Sequence, residues 1–256
     1  MDWDEMARPW LDAAPGLEAS FSEIFDTLFD AAKLQTGESV LDVGCGTGPT
    51  LLTAAKAIGE TGKVLGVDIA PPLIARAQER VPSNVALVVG DAGSHSYDSA
   101  AFDAIIANFG IMFFSDNDAA FRNLRGAVKP SGRLVATAWA SPQDNPWFSM
   151  PRQIVDEHVS DVPRPDPTGP GPMRFADPSQ LEAVLTNAGW EPHIRTLDLK
   201  LTPPGTAEDV ASLHMLVTVG MMLKGMDDPE STLAKIRDAV TGATREYDEN
   251  GAIRVP

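Results

Sequence analysis

Cysteine is almost absent from this sequence, since Cys45 is the single one among 256 residues. One cysteine excludes an internal disulfide framework. Cys45 lies between two glycines at the start of a predicted helix. A nucleophilic thiol is conceivable there, but we expect a small side chain packed beneath a turn.

Basic residues are scarce as well. The chain has 20 Lys and Arg against 36 Asp and Glu, a formal net charge of −16. Such a charge repels the phosphate backbone of RNA and DNA, and no cluster of Lys and Arg offers a local basic face. We therefore expect no nucleic-acid partner.

Long apolar runs are also missing. No uncharged apolar segment reaches the ~20 residues that span a bilayer, and the amino terminus, residues 1–5, lacks the basic and apolar parts of a signal peptide. The sequence predicts a cytoplasmic protein without a membrane span. The methionine-rich segment Ala207 to Met226 fits either an ordinary core or a dimer contact, so monomer and homodimer both stay open.

A metal site is not indicated. The four histidines His95, His158, His193 and His214 are scattered without ligand spacing, and the acidic pair around Asn117 lacks the rest of a calcium loop. We expect no metal. Asp116 or Asp118 is better explained as the start of a helix over 119–128.

The most informative segment runs from Val40 to Pro49, where an apolar strand enters a glycine turn that opens a helix. Glycine allows a turn with unusual φ values and close approach of a ligand to the main chain. The three glycines alternate, and Pro49 stands where a dinucleotide fingerprint requires its third glycine. The spacing argues against NAD or FAD, and no Gly-Lys-Ser/Thr follows as in a phosphate loop.

Four further strands follow. They are predicted over 62–69, 85–89, 102–108 and 133–139. With the helices between them they predict an α/β, Rossmann-like doubly wound, mostly parallel sheet with helices on both faces. In such a sheet ligands bind at the carboxyl ends of the strands, so Asp42, Asp68, Asp91 and Asn108 are expected to meet at one edge.

The segment Val40 to Pro49 resembles the D/E-x-G-x-G-x-G motif of class I S-adenosylmethionine (SAM) methyltransferases. The resemblance implies SAM as cofactor and S-adenosylhomocysteine as product. It places Asp42 as the acidic residue that holds the turn. The turn residues expected beside the methionine part of SAM are Gly44, Gly46, Thr47 and Gly48.

The strand ends complete the predicted cofactor site. Asp68 ends the second predicted strand, twenty residues after Gly48 (68 minus 48). In doubly wound folds an acidic residue at this position accepts the ribose hydroxyls. The family resemblance puts Ile69 against the adenine and Asp91 and Ala92 near its amino group. At the end of the fourth strand, Asn108 and Phe109 complete the cofactor set.

A second resemblance covers most of the chain. Several parts of the sequence look like a bacterial subgroup related to ubiquinone and menaquinone C-methyltransferases and to natural-product methyltransferases. They are segments 108–114, 145–147 and 175–178, Trp139, and the turn Lys129-Pro130-Ser131-Gly132. This resemblance implies a small, aromatic or amphipathic methyl acceptor. The expected organisation is one methyltransferase domain over 1–256. Its parts are a helical cap over 1–35, a SAM-binding core over 36–140 and acceptor-side additions over 141–256.

The additions are expected to hold specificity, because the sheet is common to the fold. Apolar residues at three- and four-residue spacing between Phe21 and Ala32 predict an amphipathic helix of about four turns. The cap either folds over SAM as a lid, which makes Trp10 ligand-facing, or packs on the sheet. We place around the acceptor the residues Met112, Phe113, Trp139, Trp147 and Phe148, for each of which plain core packing is the alternative.

Prolines punctuate the segment between Pro142 and Pro178, which predicts a long loop or flap without a regular helix. Beyond it we predict a helix over 178–188, a strand over 191–201 and a last helix over 229–247.

Methyl transfer from a sulfonium needs mainly positioning, so a base is optional. If one is used, His214 is the predicted proton acceptor, with a purely structural histidine as the alternative. Two other functions stay open: methylation of a protein side chain, and a SAM-binding partner protein without turnover.

Overall fold

The computed structural model describes residues 3–164, 166–224, 226 and 230–256. Pro165 of the predicted loop and Pro229, where the last helix was predicted to begin, lie outside the described residues. The chain divides into two compact units. The first unit comprises residues 3–7, 24–140 and 167–196, and the second comprises 8–23, 141–166 and the described part of 197–256. The prediction of a single domain stays a prediction.

The first unit is built on a sheet of five parallel strands in the order β3-β2-β1-β4-β5. The strands are β1 (Ser39–Val43), β2 (Lys63–Asp68), β3 (Val85–Val89), β4 (Phe102–Asn108) and β5 (Val128–Thr137). The predicted fold class is confirmed, and β2, β3 and β4 lie within one residue of their expected bounds.

Apolar side chains on both faces explain why the sheet is covered twice. Along β4, Ile105 belongs to one buried cluster and Ile106 to the other. The first cluster includes side chains of α5 (Asn117–Ala127) and α7 (Pro178–Asn187). The second includes side chains of α3 (Pro49–Ile58) and α4 (Pro71–Gln78). A strand buried on both faces has no polar alternation, as the sequence of β4 predicts.

The start of β5 differs from the prediction. Lys129-Pro130-Ser131-Gly132 was expected as a turn before the strand, but the strand begins at Val128. Phe102 pairs with Val128 and Ala104 with Arg133, so the four residues bulge out of the pairing. An interruption of this kind bends the strand locally and leaves the extra residues unpaired.

The expectation of a loop without regular structure after Pro142 was wrong. A short 3₁₀ turn, Pro142–Asp144, leads into α6 (Pro146–His158). Pro146 occupies the first turn of this helix, where the missing N–H costs nothing, and Pro151 is accommodated one turn later. Many of the prolines that indicated a loop come only after α6 has ended.

The strand predicted over 191–201 was also wrong. In this segment of the described chain only Leu201 pairs, through an antiparallel bridge to Val255. Leu197 is 45% exposed, so it does not belong to a buried face. A strand requires a neighbouring strand, which the sequence of one segment cannot supply.

The amino-terminal segment is helical, as predicted, with α1 (Trp3–Ser20) followed by α2 (Ser22–Ala32), three turns rather than four. The second unit contains α6, α8 (Ala207–His214), α9 (Gly220–Met222) and α10 (Glu230–Thr244). A π-helical turn, Met215–Val219, joins α8 to α9. Two short strands, β6 (Asp248–Glu249) and β7 (Ala252–Ile253), form a small antiparallel sheet. Among the described helices, none has the length and apolarity to cross a bilayer.

Candidate functional site

Backbone bonds to β2 close the glycine turn between β1 and α3. The N–H groups of Gly44 and Cys45 both donate to Val67 O, at 2.9 and 3.2 Å. Gly44 has a φ of +70°, and a Cβ there would lie 2.8 Å from Gly110 Cα. Only glycine meets both conditions, so the turn lies directly against the chain that leaves β4.

Gly46 sits at the middle of the turn and faces open space. Its φ is +53°, and a Cβ added there would meet no atom of the described chain within 4 Å. Its N–H donates to Asp68 Oδ2 at 2.8 Å. The site therefore offers an uncovered stretch of main chain, held in place by the carboxylate at the end of the next strand. A ligand can approach the backbone closely at such a point.

The next two turn residues are tied to their surroundings. Gly48 begins α3 with a φ of +92°, and a Cβ there would lie 3.3 Å from the Cβ of Ala77. Thr47 is buried, and its carbonyl accepts from the Arg80 guanidinium at 3.0 Å. These contacts fix the position of the turn relative to α4.

Asp42 is completely buried beneath the turn. Its Oδ2 accepts a hydrogen bond from Thr50 Oγ1 at 2.5 Å, while Oδ1 has no hydrogen-bond partner among the described residues. Burial raises the pKa of this carboxyl to about 7, opposed by the Thr50 bond and assisted by the charge of Asp68. An unpaired buried carboxylate oxygen is costly, so this atom is suited to a cationic or donor group of a ligand.

Asp68 ends β2 and organises the backbone around it. Its Oδ1 accepts from Ala70 N at 2.9 Å, and its Oδ2 accepts from Gly46 as described above. Burial raises its pKa, against the effect of these backbone bonds. A carboxylate has about four acceptor positions, so the backbone bonds from Gly46, Ala70 and Ile69 still leave capacity for a further donor. Beside it, the apolar side chains of Ile69 and Val89 are each 50% exposed.

The end of β3 forms a tight polar turn. Asp91 Oδ1 accepts from Gly93 N at 2.8 Å, and Oδ2 accepts from Ser94 Oγ at 3.1 Å. The Ala92 carbonyl accepts from the Tyr97 hydroxyl at 2.9 Å. The predicted adenine residues are therefore held in one conformation by their own loop. Their contact with adenine stays a prediction.

The end of β4 carries an unusual backbone conformation. Phe109 has a φ of +63°, which non-glycine residues rarely adopt. Its N–H donates to Thr137 Oγ1 at 3.2 Å, and the Thr137 hydroxyl donates to Asn108 Oδ1 at 2.7 Å. The Phe109 ring is stacked on Trp139 with centroids 4.3 Å apart and an interplanar angle of 3°. Both rings are half-buried.

Two residues predicted to lie around the acceptor, Met112 and Phe113, come shortly after Phe109 in the chain. Phe113 is half-buried and makes an edge contact with Trp3, with ring centroids 5.3 Å apart. Met112 is completely buried in the core, and its carbonyl accepts from Gly171 N at 3.1 Å. Met112 thus packs in the core, which is the alternative to the predicted acceptor role, and its contact with an acceptor stays a prediction.

The remaining predicted residues lie in the second unit. Trp10 and Phe148 are half-buried, and Trp147 is 2% exposed. His214 is completely buried, with its ring 4.2 Å from that of Trp147 and its Nδ1 3.3 Å from Thr218 Oγ1. Its Nε2 has no hydrogen-bond partner in the described chain. Burial lowers the pKa of His214 to about 4, so its conjugate acid forms poorly and the side chain is a weak proton acceptor.

Cys45 packs as expected. It is 3% exposed, and a Cβ at Gly66 would lie 2.9 Å from its Sγ. Burial raises the pKa of the thiol, with a contribution from the charges of Asp42 and Asp68. A thiol in this environment stays protonated and unreactive. The described residues contain no group of three or more His, Cys, Asp or Glu side chains placed to hold a metal ion.

Sequence reasoning missed several residues of this edge. Gly110 carries a signal, since a glycine just after a buried strand marks close backbone approach, and a Cβ there would lie 2.1 Å from Val43 O. Thr50 carries a weaker signal, because it lies in the first turn of α3. Val89 carries one of the same kind, because it ends β3. Thr137 carries none, because its partnership with Asn108 depends on the register between β4 and β5.

The comparisons with known proteins are consistent with this geometry. A family model described as a methyltransferase domain matches residues 40–132. The aklanonic acid methyltransferase DauC of a Streptomyces species is 32% identical over 157 residues, which cover 57% of this chain and 71% of that protein. The demethylmenaquinone methyltransferase of Shouchella clausii is 34% identical over 113 residues, 43% of this chain and 48% of its own length. The chain thus spans about half the length of this second relative.

Among solved structures, a SAM-dependent methyltransferase from Aquifex aeolicus superposes with a TM-score of 0.53. It is 22% identical, and the match covers 78% of this chain and 93% of that one. At this identity the likeness concerns the fold.

Proposed function

The chain belongs to the SAM-dependent methyltransferases, and from this premise we propose that it transfers the methyl group of SAM to a small aromatic or amphipathic molecule. The observation that carries the acceptor class is the half-buried stack of Phe109 on Trp139. It lies where β4 ends, and Gly110, the next residue, touches the glycine turn. A flat aromatic surface next to the cofactor turn favours a planar or apolar acceptor.

The residues at the turn fit SAM. The open space over Gly46 accepts a ligand against the main chain, and the unpaired Oδ1 of buried Asp42 suits the positive charge of the methionine part. Gly44, Thr47 and Gly48 shape the same turn. The fit rests on one uncovered backbone segment and one unpartnered carboxylate oxygen, both of which a bound SAM would engage.

The strand ends supply the rest of the proposed cofactor site. Asp68 is proposed to accept hydrogen bonds from the ribose hydroxyls, and exposed Ile69 offers an apolar face to adenine. Asp91 and Ala92 at the end of β3 are proposed to reach the adenine edge. Asn108 and Phe109 close the set at the end of β4.

SAM, when bound, supplies a methyl group that is already activated on a sulfonium. The chain's own residues then have to hold the acceptor atom in line with that methyl and keep water out. No step requires a protein base, which agrees with the low pKa of His214. Its role as a proton acceptor stays a prediction.

Phe113 and Trp139 of the first unit are the proposed acceptor contacts that keep partly open surfaces. The predicted acceptor contacts of Trp10, Trp147 and Phe148, which belong to the second unit, stay predictions. The two relatives described above are named for small organic compounds as substrates, which supports a small acceptor here.

The test is methyl transfer from methyl-labelled SAM to a panel of planar phenols and hydroxyquinones, with basic peptides as the competing class. We expect label in the organic extract of one or more phenolic reactions. Heat-denatured enzyme and a Gly46→Ala variant are the controls. Label that appears only in the peptide fraction would instead make the chain a protein methyltransferase.

A further inference from the structure

The backbone at Phe109 is held in a conformation that the residue itself disfavours. A φ of +63° in a residue with a bulky side chain persists only where the surroundings determine it. Gly110 contributes on one side, because a Cβ at that position would collide with Val43 O. The chain therefore has to reverse immediately after Phe109.

Thr137, the last residue of β5, holds the backbone at Phe109 through its side-chain hydroxyl. Its hydroxyl accepts from Phe109 N–H at 3.2 Å and donates to Asn108 Oδ1 at 2.7 Å. Asn108 and Thr137 are direct partners in the register of the two strands. One hydroxyl thus bridges the backbone and a side chain of consecutive residues, a pattern that neither valine nor alanine could reproduce.

The consequence is the orientation of an aromatic pair. Trp139 follows Thr137 by two residues, and its ring lies parallel to that of Phe109 within 3°. Offset stacks and edge contacts are both favourable for aromatic rings. Three other described pairs of this unit, Trp3–Phe113, Tyr97–Phe102 and Phe114–Phe121, meet at an edge. The pair is only partly buried and lies at the carboxyl edge of the sheet.

We propose that Thr137 is a positioning residue that aims the Phe109–Trp139 stack, and that this stack selects flat aromatic acceptors over saturated ones of the same size. The proposal deepens the proposed function and depends on it for the identity of the reaction. The preference for flat acceptors is a property of binding, so it can be measured without methyl transfer.

The experiment compares Thr137→Val, which keeps the side-chain volume, with Thr137→Ser, which keeps the hydroxyl. The probes are 2-naphthol and its saturated counterpart decahydro-2-naphthol, titrated in the presence of S-adenosylhomocysteine. We expect the wild type to prefer the flat probe by about tenfold or more, Thr137→Val to lose most of that preference, and Thr137→Ser to retain it. The titrations are made at saturating S-adenosylhomocysteine, and the preference is a ratio of two affinities, so a change in cofactor affinity through Asn108 and Phe109 cancels from it.

Near-ultraviolet circular dichroism reports the stack directly. Trp139→Phe defines the part of the spectrum that belongs to the pair, and Thr137→Val should lose the same part. Thr241→Val is the matched control, since that hydroxyl donates to a carbonyl within α10. Equal loss of preference in the Ser and Val variants would overturn the proposal, as would an unchanged preference in Thr137→Val. Absence of any flat-probe preference in the wild type would also overturn it, whatever the methyl-transfer assay gives.

Discussion

Replacement of Gly46 by alanine is expected to lower the affinity for SAM by at least about 100-fold while the protein still folds. An alanine Cβ would meet no protein atom within 4 Å, so the apo fold has room for it. The added methyl would occupy the space through which a cofactor approaches the main chain. At a φ of +53° alanine costs roughly 1–2 kcal/mol, which should lower the melting temperature by only a few degrees.

Two alanine variants separate backbone strain from blocked binding. Gly189 has a φ of +84° and open space around a Cβ, and it lies just after α7. Gly189→Ala should lose similar stability yet bind SAM normally. Gly126, in α5, has open space without a positive φ, so Gly126→Ala should leave SAM affinity unchanged and should not lower the melting temperature, because alanine favours a helix more than glycine does. Calorimetric titration and thermal unfolding measure all three. Wild-type affinity in Gly46→Ala would show that the cofactor does not pass over this residue.

The second large effect is expected at Asp68. Asp68→Ala should weaken SAM binding by about 3 kcal/mol or more, over about 100-fold, because charge-assisted hydrogen bonds contribute roughly 1.5–3 kcal/mol each. The variant also loses the bond that holds Gly46 N–H, so the turn itself is less well placed. Both effects act in the same direction.

Asp103 provides a matched carboxylate on the same sheet. It lies near the amino end of β4 and accepts from Lys129 Nζ at 2.7 Å and from Ser39 N at 2.9 Å. Asp103→Ala should lower the melting temperature and leave SAM affinity unchanged. Equal losses of affinity in the two variants would mean that Asp68 acts through stability alone, and the ribose assignment would then be wrong.

The sheet and its cofactor edge were predictable because the evidence for them is local. The glycine turn, the strand ending in Asp68 and the apolar run of β4 each carry their own pattern, and the order of parallel strands brings their ends together. The bonds between these residues were not predictable. That Asp68 holds Gly46, or that Thr137 holds Phe109, depends on distances between separate strands.

The errors arose where one local signal was given too much weight. Proline was taken to exclude a helix after Pro142, although Pro146 stands at a position that favours one. A strand was predicted over 191–201 without a partner strand to pair with it. The acceptor role of Met112 stays a prediction, but its burial in the core could not be predicted, because burial is a property of the whole fold.

Asp42 adds a dependence on pH. Its pKa is raised to about 7 by burial in the ligand-free protein, so part of the population is neutral near that pH. The positive charge of SAM favours the ionised carboxylate. SAM affinity should therefore be highest above this pKa and should fall as the pH falls through it. Asp42→Asn should remove most of this dependence.

The most direct test of the account is calorimetric titration of the wild-type protein with SAM, S-adenosylhomocysteine and NAD, at about pH 8, where Asp42 is mostly ionised. We predict micromolar binding of SAM and S-adenosylhomocysteine and none of NAD. Binding of NAD, or failure of both SAM and S-adenosylhomocysteine to bind, would contradict the assignment of the Asp42–Gly46–Asp68 edge as a SAM site.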